Sequence, residues 1–142
     1  MKRAPIFALF VLLMGTLLLW TSGCRTAGGS TDSAGKLAVT HLTPVGAADL
    51  VAHNEVLVLD VRTPEEFADG HLSGAVNVDY KGETFESGLA ALDPGATVLV
   101  YCRSGNRSTR SLPALEKLGF ARVFHLDGGF NAWKDAGQAI EK

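Results

Sequence analysis

Beyond residue 40 the apolar positions fall into short dense runs separated by turn-forming residues. "VLVLD" (Val56–Asp60) and "TVLVY" (Thr97–Tyr101) are continuous runs of β-branched residues and leucine, the pattern of strands covered on both faces. "AVNVD" (Ala75–Asp79) and "RVFHL" (Arg122–Leu126) read as further strands, and a short extended piece around His41 opens the series. Between them lie helix signals. Thr43 and Thr63 stand as N-caps, each followed by a proline at the first helical position, and Glu66 completes a capping box with Thr63. Gly70 closes that helix, and "FESGLAALDPG" predicts a short helix stopped by Asp93-Pro94-Gly95. A helix is expected from about Arg107 to Leu118 with Gly119 after it, and "GGFNAWKDAG" supplies the last one. Alternating strands and helices predict an α/β domain: a mainly parallel five-stranded sheet with right-handed crossovers. Pro113 lies inside the fourth helix, where it removes an interior hydrogen bond at a cost of about 3 kcal/mol. The pattern leaves open whether the helix kinks there.

The N-terminal segment follows another rule. Lys2 and Arg3 precede an uncharged apolar run from Ile6 to Trp20, then small residues ending at Cys24. This is the layout of a secretory signal, and the run falls short of the 18 or more residues of a spanning helix. "TSGC" resembles the lipobox of bacterial lipoproteins, although Thr21 replaces the usual leucine. The resemblance implies a signal peptide over residues 1–23 and lipidation of Cys24. A Gly/Ser/Thr-rich tether over 24–39 and a folded domain over 40–142 would follow. Arg25 follows the cysteine instead of Asp, which resembles outer-membrane sorting, so the domain is expected to be exported, membrane-attached through its lipid and facing the periplasm.

Charge narrows the partners. The whole chain carries −2, and loss of Lys2 and Arg3 with the signal makes it −4. A mildly acidic domain gives no electrostatic footprint for nucleic acid. Its oligomeric state is not legible.

Two cysteines are present, and with Cys24 acylated Cys102 is the lone thiol. It then has no intramolecular disulfide partner, so it is either an apolar filler or a reactive group. Three features favour reactivity. Cys102 follows the carboxyl end of a buried strand, where open α/β sheets place their ligands. The next residues, "RSGNRS", include Gly105 and Asn106, which tolerate the backbone angles that turn N–H groups inward. A helix N-terminus and the cations Arg103 and Arg107 stand nearby. Lowering the ionisation of such a thiol by two pH units takes about 2.7 kcal/mol. A helix terminus supplies about 0.3–2 kcal/mol, and a charge-assisted hydrogen bond covers the remainder.

Three blocks, "VLVLDVRTPEEFADGHLSGAVNV", "VLVYCRSGNRS" and "VFHLDGGFNAW", together resemble a single-domain rhodanese in order and spacing, over roughly Thr40 to Gly137. The resemblance implies a three-layer rhodanese-like fold and a sulfurtransferase. Cys102 would take sulfane sulfur from an anionic donor such as thiosulfate, form a persulfide, and pass the sulfur to cyanide or a thiol. No cofactor is implied beyond that covalent persulfide. Arg103, Ser104, Gly105, Asn106, Arg107 and Ser108 match the family's anion-holding loop. Asp60 and Arg62 are expected to support it, Asp60 by hydrogen bonds to loop amides and Arg62 by an ion pair with Glu65 or Glu66. His71 is expected to pack, and Trp133 to anchor the core. His41, His53 and His125 are scattered without ligand spacing, so no metal site is expected.

Three rival readings share the same loop. A cysteine phosphatase or arsenate reductase also uses a Cys-to-Arg anion loop, but the related phosphatases place five residues between Cys and Arg, and here there are four. The others are a non-catalytic rhodanese-like binding module and a sulfur carrier fed by a protein partner.

Overall fold

The computed structural model describes residues 36–142; the expected signal peptide, the expected lipidation site Cys24 and most of the expected tether lie outside the described residues. The elements run in strict alternation. They are β1 (Ala38–Leu42), α1 (Pro44–Ala52), β2 (Leu57–Asp60), α2 (Pro64–Ala68), β3 (Val76–Asn77), α3 (Phe85–Ala90), β4 (Val98–Tyr101), α4 (Asn106–Lys117), β5 (Arg122–Leu126) and α5 (Gly129–Asp135). The strands form one sheet in the order β1-β5-β4-β2-β3, and every pairing between neighbours is parallel.

The sheet is covered on both faces, as the uninterrupted apolar runs require. Along β4 the residues alternate: Val98 and Val100 join a core with Leu89 of α3 and Leu115 of α4, and Leu99 joins one with Val51 of α1 and Trp133 of α5. This period of two continues past the strand, so Tyr101 falls on the α1/α5 side and Cys102 on the α3/α4 side. Each face buries about ten apolar side chains, and burial of one such residue is worth roughly 1.5–3 kcal/mol.

Thr63 and Glu66 form the capping box expected at α2, and the Thr43 hydroxyl accepts from the Gly46 amide at the start of α1. Pro113 does not break α4, which is assigned as one helix from Asn106 to Lys117. Its first turn is held by side chains as well as backbone: the Thr109 hydroxyl donates to the Gly105 carbonyl at 2.8 Å and the Ser111 hydroxyl to the Ser108 carbonyl at 2.7 Å. Pro113 and Thr109 are both exposed, so water can satisfy the Thr109 carbonyl that the proline leaves without its helical donor. The third strand shrinks from the five residues of "AVNVD" to Val76–Asn77, because it is an edge strand paired only with β2.

Strand order also locates a crevice. From the central pair β2–β4 the chain builds outward in both directions, to β3 on one side and to β5 and β1 on the other. The connections leaving β2 and β4 therefore diverge at their carboxyl ends, which is where open parallel sheets bind ligands. Asp60 and Tyr101 are register partners there, and Cys102 follows directly.

Candidate active site

Cys102 opens a tight loop that runs into α4. Gly105 is the residue before the helix, with φ of +96°, a conformation in which a β-carbon is strained. That turn aims its amide at the sulfur, with Gly105 N–H donating to Cys102 Sγ at 3.2 Å. The Ser108 hydroxyl, one turn into α4, lies 3.6 Å from the same sulfur. Burial pushes the thiol up, but the amide and hydroxyl of Ser108 and the amides of Ser104 and Gly105 outweigh it, so the thiol is held below its ordinary value. The whole residue is only 1% exposed. Reactivity and access thus separate. The hydrogen bonds favour the anion, while the sulfur itself is covered.

The cations divide between two duties. Arg107 makes a bidentate pair with Glu66, at 2.6 and 2.9 Å, which ties α4 to α2. Its guanidinium also senses the charge on Cys102, and both acids favour its charged form. Arg103 is exposed, makes no ion pair among the described residues, and lines a cleft of about 450 Å³ with Glu66, Phe130, Asn131 and Lys134. Ser104 and Asn106 are also exposed on the rim of the loop.

Asp60 and Arg62 correct the sequence reading. Asp60 does not reach the loop amides; its carboxylate accepts from the Arg62 backbone N–H at 2.9 Å and from the Arg62 guanidinium at 2.6–3.0 Å. Arg62 accordingly pairs with Asp60 and the Gly70 carbonyl, not with Glu65 or Glu66. The reason is local: Asp60 and Arg62 are two residues apart on an extended segment, so both side chains enter the same side, where they are nearly fully buried. Arg62 then lies over the rings of Phe130, at 4.0 Å, and Tyr101, at 5.6 Å. Burial opposes its charge, but the hydrogen bond and charge of Asp60 hold its ionisation above the ordinary range. Burial, with the Asp60 charge beside it, pushes the Tyr101 phenol far up, and its oxygen accepts from the Leu72 amide at 3.2 Å. This unit braces the floor of the crevice.

Two contributors were not legible. The first is the glycine pair at the start of α5, Gly128 and Gly129. A β-carbon on Gly129 would lie 2.3 Å from the Cys102 carbonyl oxygen, and Gly129 has φ of +58°. The close approach lets Phe130 N–H donate to the Cys102 carbonyl at 2.8 Å and Asn131 N–H to the Arg103 carbonyl at 3.1 Å. The second is His125. The sequence left His41 and His125 scattered, but the parallel register of β1 and β5 makes them direct partners. His125 is 3% exposed, and its Nε2 lies 3.0 Å from Ser108 Oγ, 3.2 Å from Thr109 Oγ1 and 3.3 Å from the Gly105 carbonyl. Its phase on β5 carries the signal, since it follows Val123 by two and so shares the α4 face. His71 stacks on Phe67 with ring centroids 3.8 Å apart, and Trp133 is buried with its indole N–H on the Ala139 carbonyl.

Comparison with known proteins decides the family. The profile described as Rhodanese-like domain matches residues 43–136. The chain belongs to that family. A rhodanese relative, thiosulfate sulfurtransferase 16, chloroplastic, of Arabidopsis thaliana, is 34% identical over 108 residues, spanning 66% of this chain and 90% of that protein. The thiosulfate sulfurtransferase GlpE of Pseudomonas aeruginosa (strain LESB58) is 37% identical over 81 residues, 57% of this chain and 72% of that one. Among solved structures, a rhodanese-related protein of Thermoplasma volcanium superposes with a TM-score of 0.64 at 23% identity, covering 71% of this chain and 96% of that one, which shows the shared fold. A protein of Rhodopseudomonas palustris titled a possible tyrosine phosphatase superposes at 0.59 with 28% identity, over 72% of this chain and 85% of that one. The rhodanese block "DGGFNAW" contains the pair that seats α5 against the Cys102 loop, Gly128 and Gly129.

Proposed function

We propose that this rhodanese-like domain is a sulfurtransferase working through a persulfide on Cys102. One observation carries the reading: a buried thiol at the switch point of the sheet is held below its ordinary ionisation by inward-turned amides and the Ser108 hydroxyl. Relatives whose names are thiosulfate sulfurtransferase support the choice of donor.

The steps balance without a cofactor. The Cys102 thiolate attacks the sulfane sulfur of thiosulfate, a new S–S bond forms, and sulfite leaves with the electron pair of the broken bond. The resulting Cys102 persulfide carries the negative charge on its outer sulfur, about 2 Å further into the loop. There the amides that held the thiolate hold the persulfide, which is covalent catalysis by an activated nucleophile with preorganised stabilisation of an anion. Cyanide or an acceptor thiolate then attacks the outer sulfur and the Cys102 thiolate departs. No proton need move in the transfer, so a general base is unnecessary. Arg103, on the exposed cleft, draws in the anionic donor, and Arg107 stabilises charge from within.

A phosphatase reading fits less well. The loop places four residues between Cys102 and Arg107, and the Arg107 guanidinium is already engaged in two hydrogen bonds by Glu66. The test is mass spectrometry of the purified protein after thiosulfate, with one added sulfur expected on Cys102 and thiocyanate released when cyanide follows. Cys102→Ser should abolish both. Thiocyanate formation that survives in Cys102→Ser, or hydrolysis of p-nitrophenyl phosphate in place of sulfur transfer, would sink the reading.

A further inference from the structure

Beside the cysteine loop, on the β1–β5 edge, three side chains of metal-binding chemistry converge. His41 and His125 are register partners on neighbouring parallel strands, and Asp127 follows β5 by one residue. Their rings stand 4.9 Å apart. Both Nδ1 atoms point at the same oxygen, Asp127 Oδ1, from 2.7 Å for His41 and 3.4 Å for His125, and the three ligand atoms all lie within 4.8 Å of one another. We propose that His41, His125 and Asp127 form a binding site for a borderline divalent transition metal, with zinc as its representative, behind the Cys102 loop and joined to it through His125.

The donor set and its surroundings support this. Two imidazoles and one carboxylate suit zinc and its neighbours, whereas calcium and magnesium take oxygen ligands. Ligand bonds of about 2.0–2.2 Å put tetrahedral ligand atoms about 3.3–3.6 Å apart. Asp127 and His41 are each more than half exposed in their side chains, so both can shift by the ångström needed and leave the remaining coordination position to water. His125 is the fixed member. A metal-ligating histidine almost always donates its second ring N–H to a carbonyl or carboxylate, which settles the tautomer. Ser108 Oγ, Thr109 Oγ1 and the Gly105 carbonyl surround His125 Nε2 at 3.0, 3.2 and 3.3 Å, so an N–H there meets oxygen acceptors and Nδ1 is left free to ligate. The pattern "T-H-L" on one strand and "F-H-L-D" on another carries no ligand spacing in sequence, because the pairing of β1 with β5 brings it together across more than eighty residues.

The experiment is calorimetric titration of zinc into the full chain carrying Cys24→Ser and Cys102→Ser, which removes thiolate ligation. Cobalt serves as a second probe, read by its visible absorption. One equivalent is expected to bind with a micromolar Kd. His41→Ala and Asp127→Asn, both at exposed positions that leave the core intact, are each expected to weaken binding at least tenfold. Absence of binding up to millimolar zinc would overturn the site. So would unchanged affinity in His41→Ala and Asp127→Asn, which would place the metal elsewhere.

Discussion

Ser108→Ala is the substitution that isolates the stabilisation of the sulfur. The hydroxyl is buried and lies 3.6 Å from Cys102 Sγ, with its other contacts at the Gly105 carbonyl and His125 Nε2. Its removal orphans neither. The Gly105 carbonyl keeps the Thr109 amide at 3.0 Å and the Thr109 hydroxyl at 2.8 Å, and His125 Nε2 keeps the Thr109 hydroxyl at 3.2 Å. The Gly105 amide also stays on the sulfur. What is lost is one hydrogen bond to an anion, worth about 1.5–3 kcal/mol, and the long contact to sulfur puts it at the lower end. About 1.4 kcal/mol is a factor of ten in the thiolate-to-thiol ratio at fixed pH. Ser108→Ala should therefore react up to about tenfold more slowly with iodoacetamide at pH values below the pKa of the thiol, yet match the unaltered protein at alkaline pH, where both thiols are ionised. Iodoacetamide is neutral, so the comparison reads ionisation and not attraction of the reagent. Circular dichroism checks that the variant is folded. A superimposable pH–rate profile would show that the hydroxyl does not hold the thiolate. Alkylation seen only after denaturation would return Cys102 to the role of a buried filler.

Gly129→Ala should cost about 2–4 kcal/mol of stability, adding a left-handed backbone penalty to overpacking against the Cys102 carbonyl, and it should depress sulfur transfer. Gly119→Ala, with φ of +88° and nothing within 4 Å, is the control, since it carries the backbone penalty alone; equal losses in thermal melts would refute the close-approach argument. The Arg107 hydrogen bond holds the Glu66 carboxyl below the usual range, so this pair stabilises the fold fully above the ordinary glutamate value of about 4.3 and is lost as pH falls through the lower folded value. Glu66→Gln should lower Tm by several degrees near pH 7, for a partly buried bidentate pair worth about 1 kcal/mol, and the difference should close as pH falls below the lowered folded value; a gap that persists in strong acid would mean the glutamate acts through packing.

The sequence by itself determined the strand and helix alternation, because continuous β-branched runs and capping residues are local signals. It also picked out Cys102 and its loop, since strand end, glycine turn and helix start are contiguous. The Thr63–Glu66 capping box was legible for the same reason. Ion-pair partners were not. Arg62 had Asp60, Glu65 and Glu66 within a few residues, and only the buried direction of its side chain chose Asp60 and left Glu66 for Arg107, forty-one positions away. Tertiary structure alone decided that Gly129 touches the Cys102 carbonyl, and that His41 and His125 are neighbours behind Ser108. It also decided that the sulfur is covered and not open. These facts depend on the parallel register of β1, β5 and β4 and on the packing of α5 against the loop. Long-range register is set by the shape of the whole core, and no local run of residues encodes it.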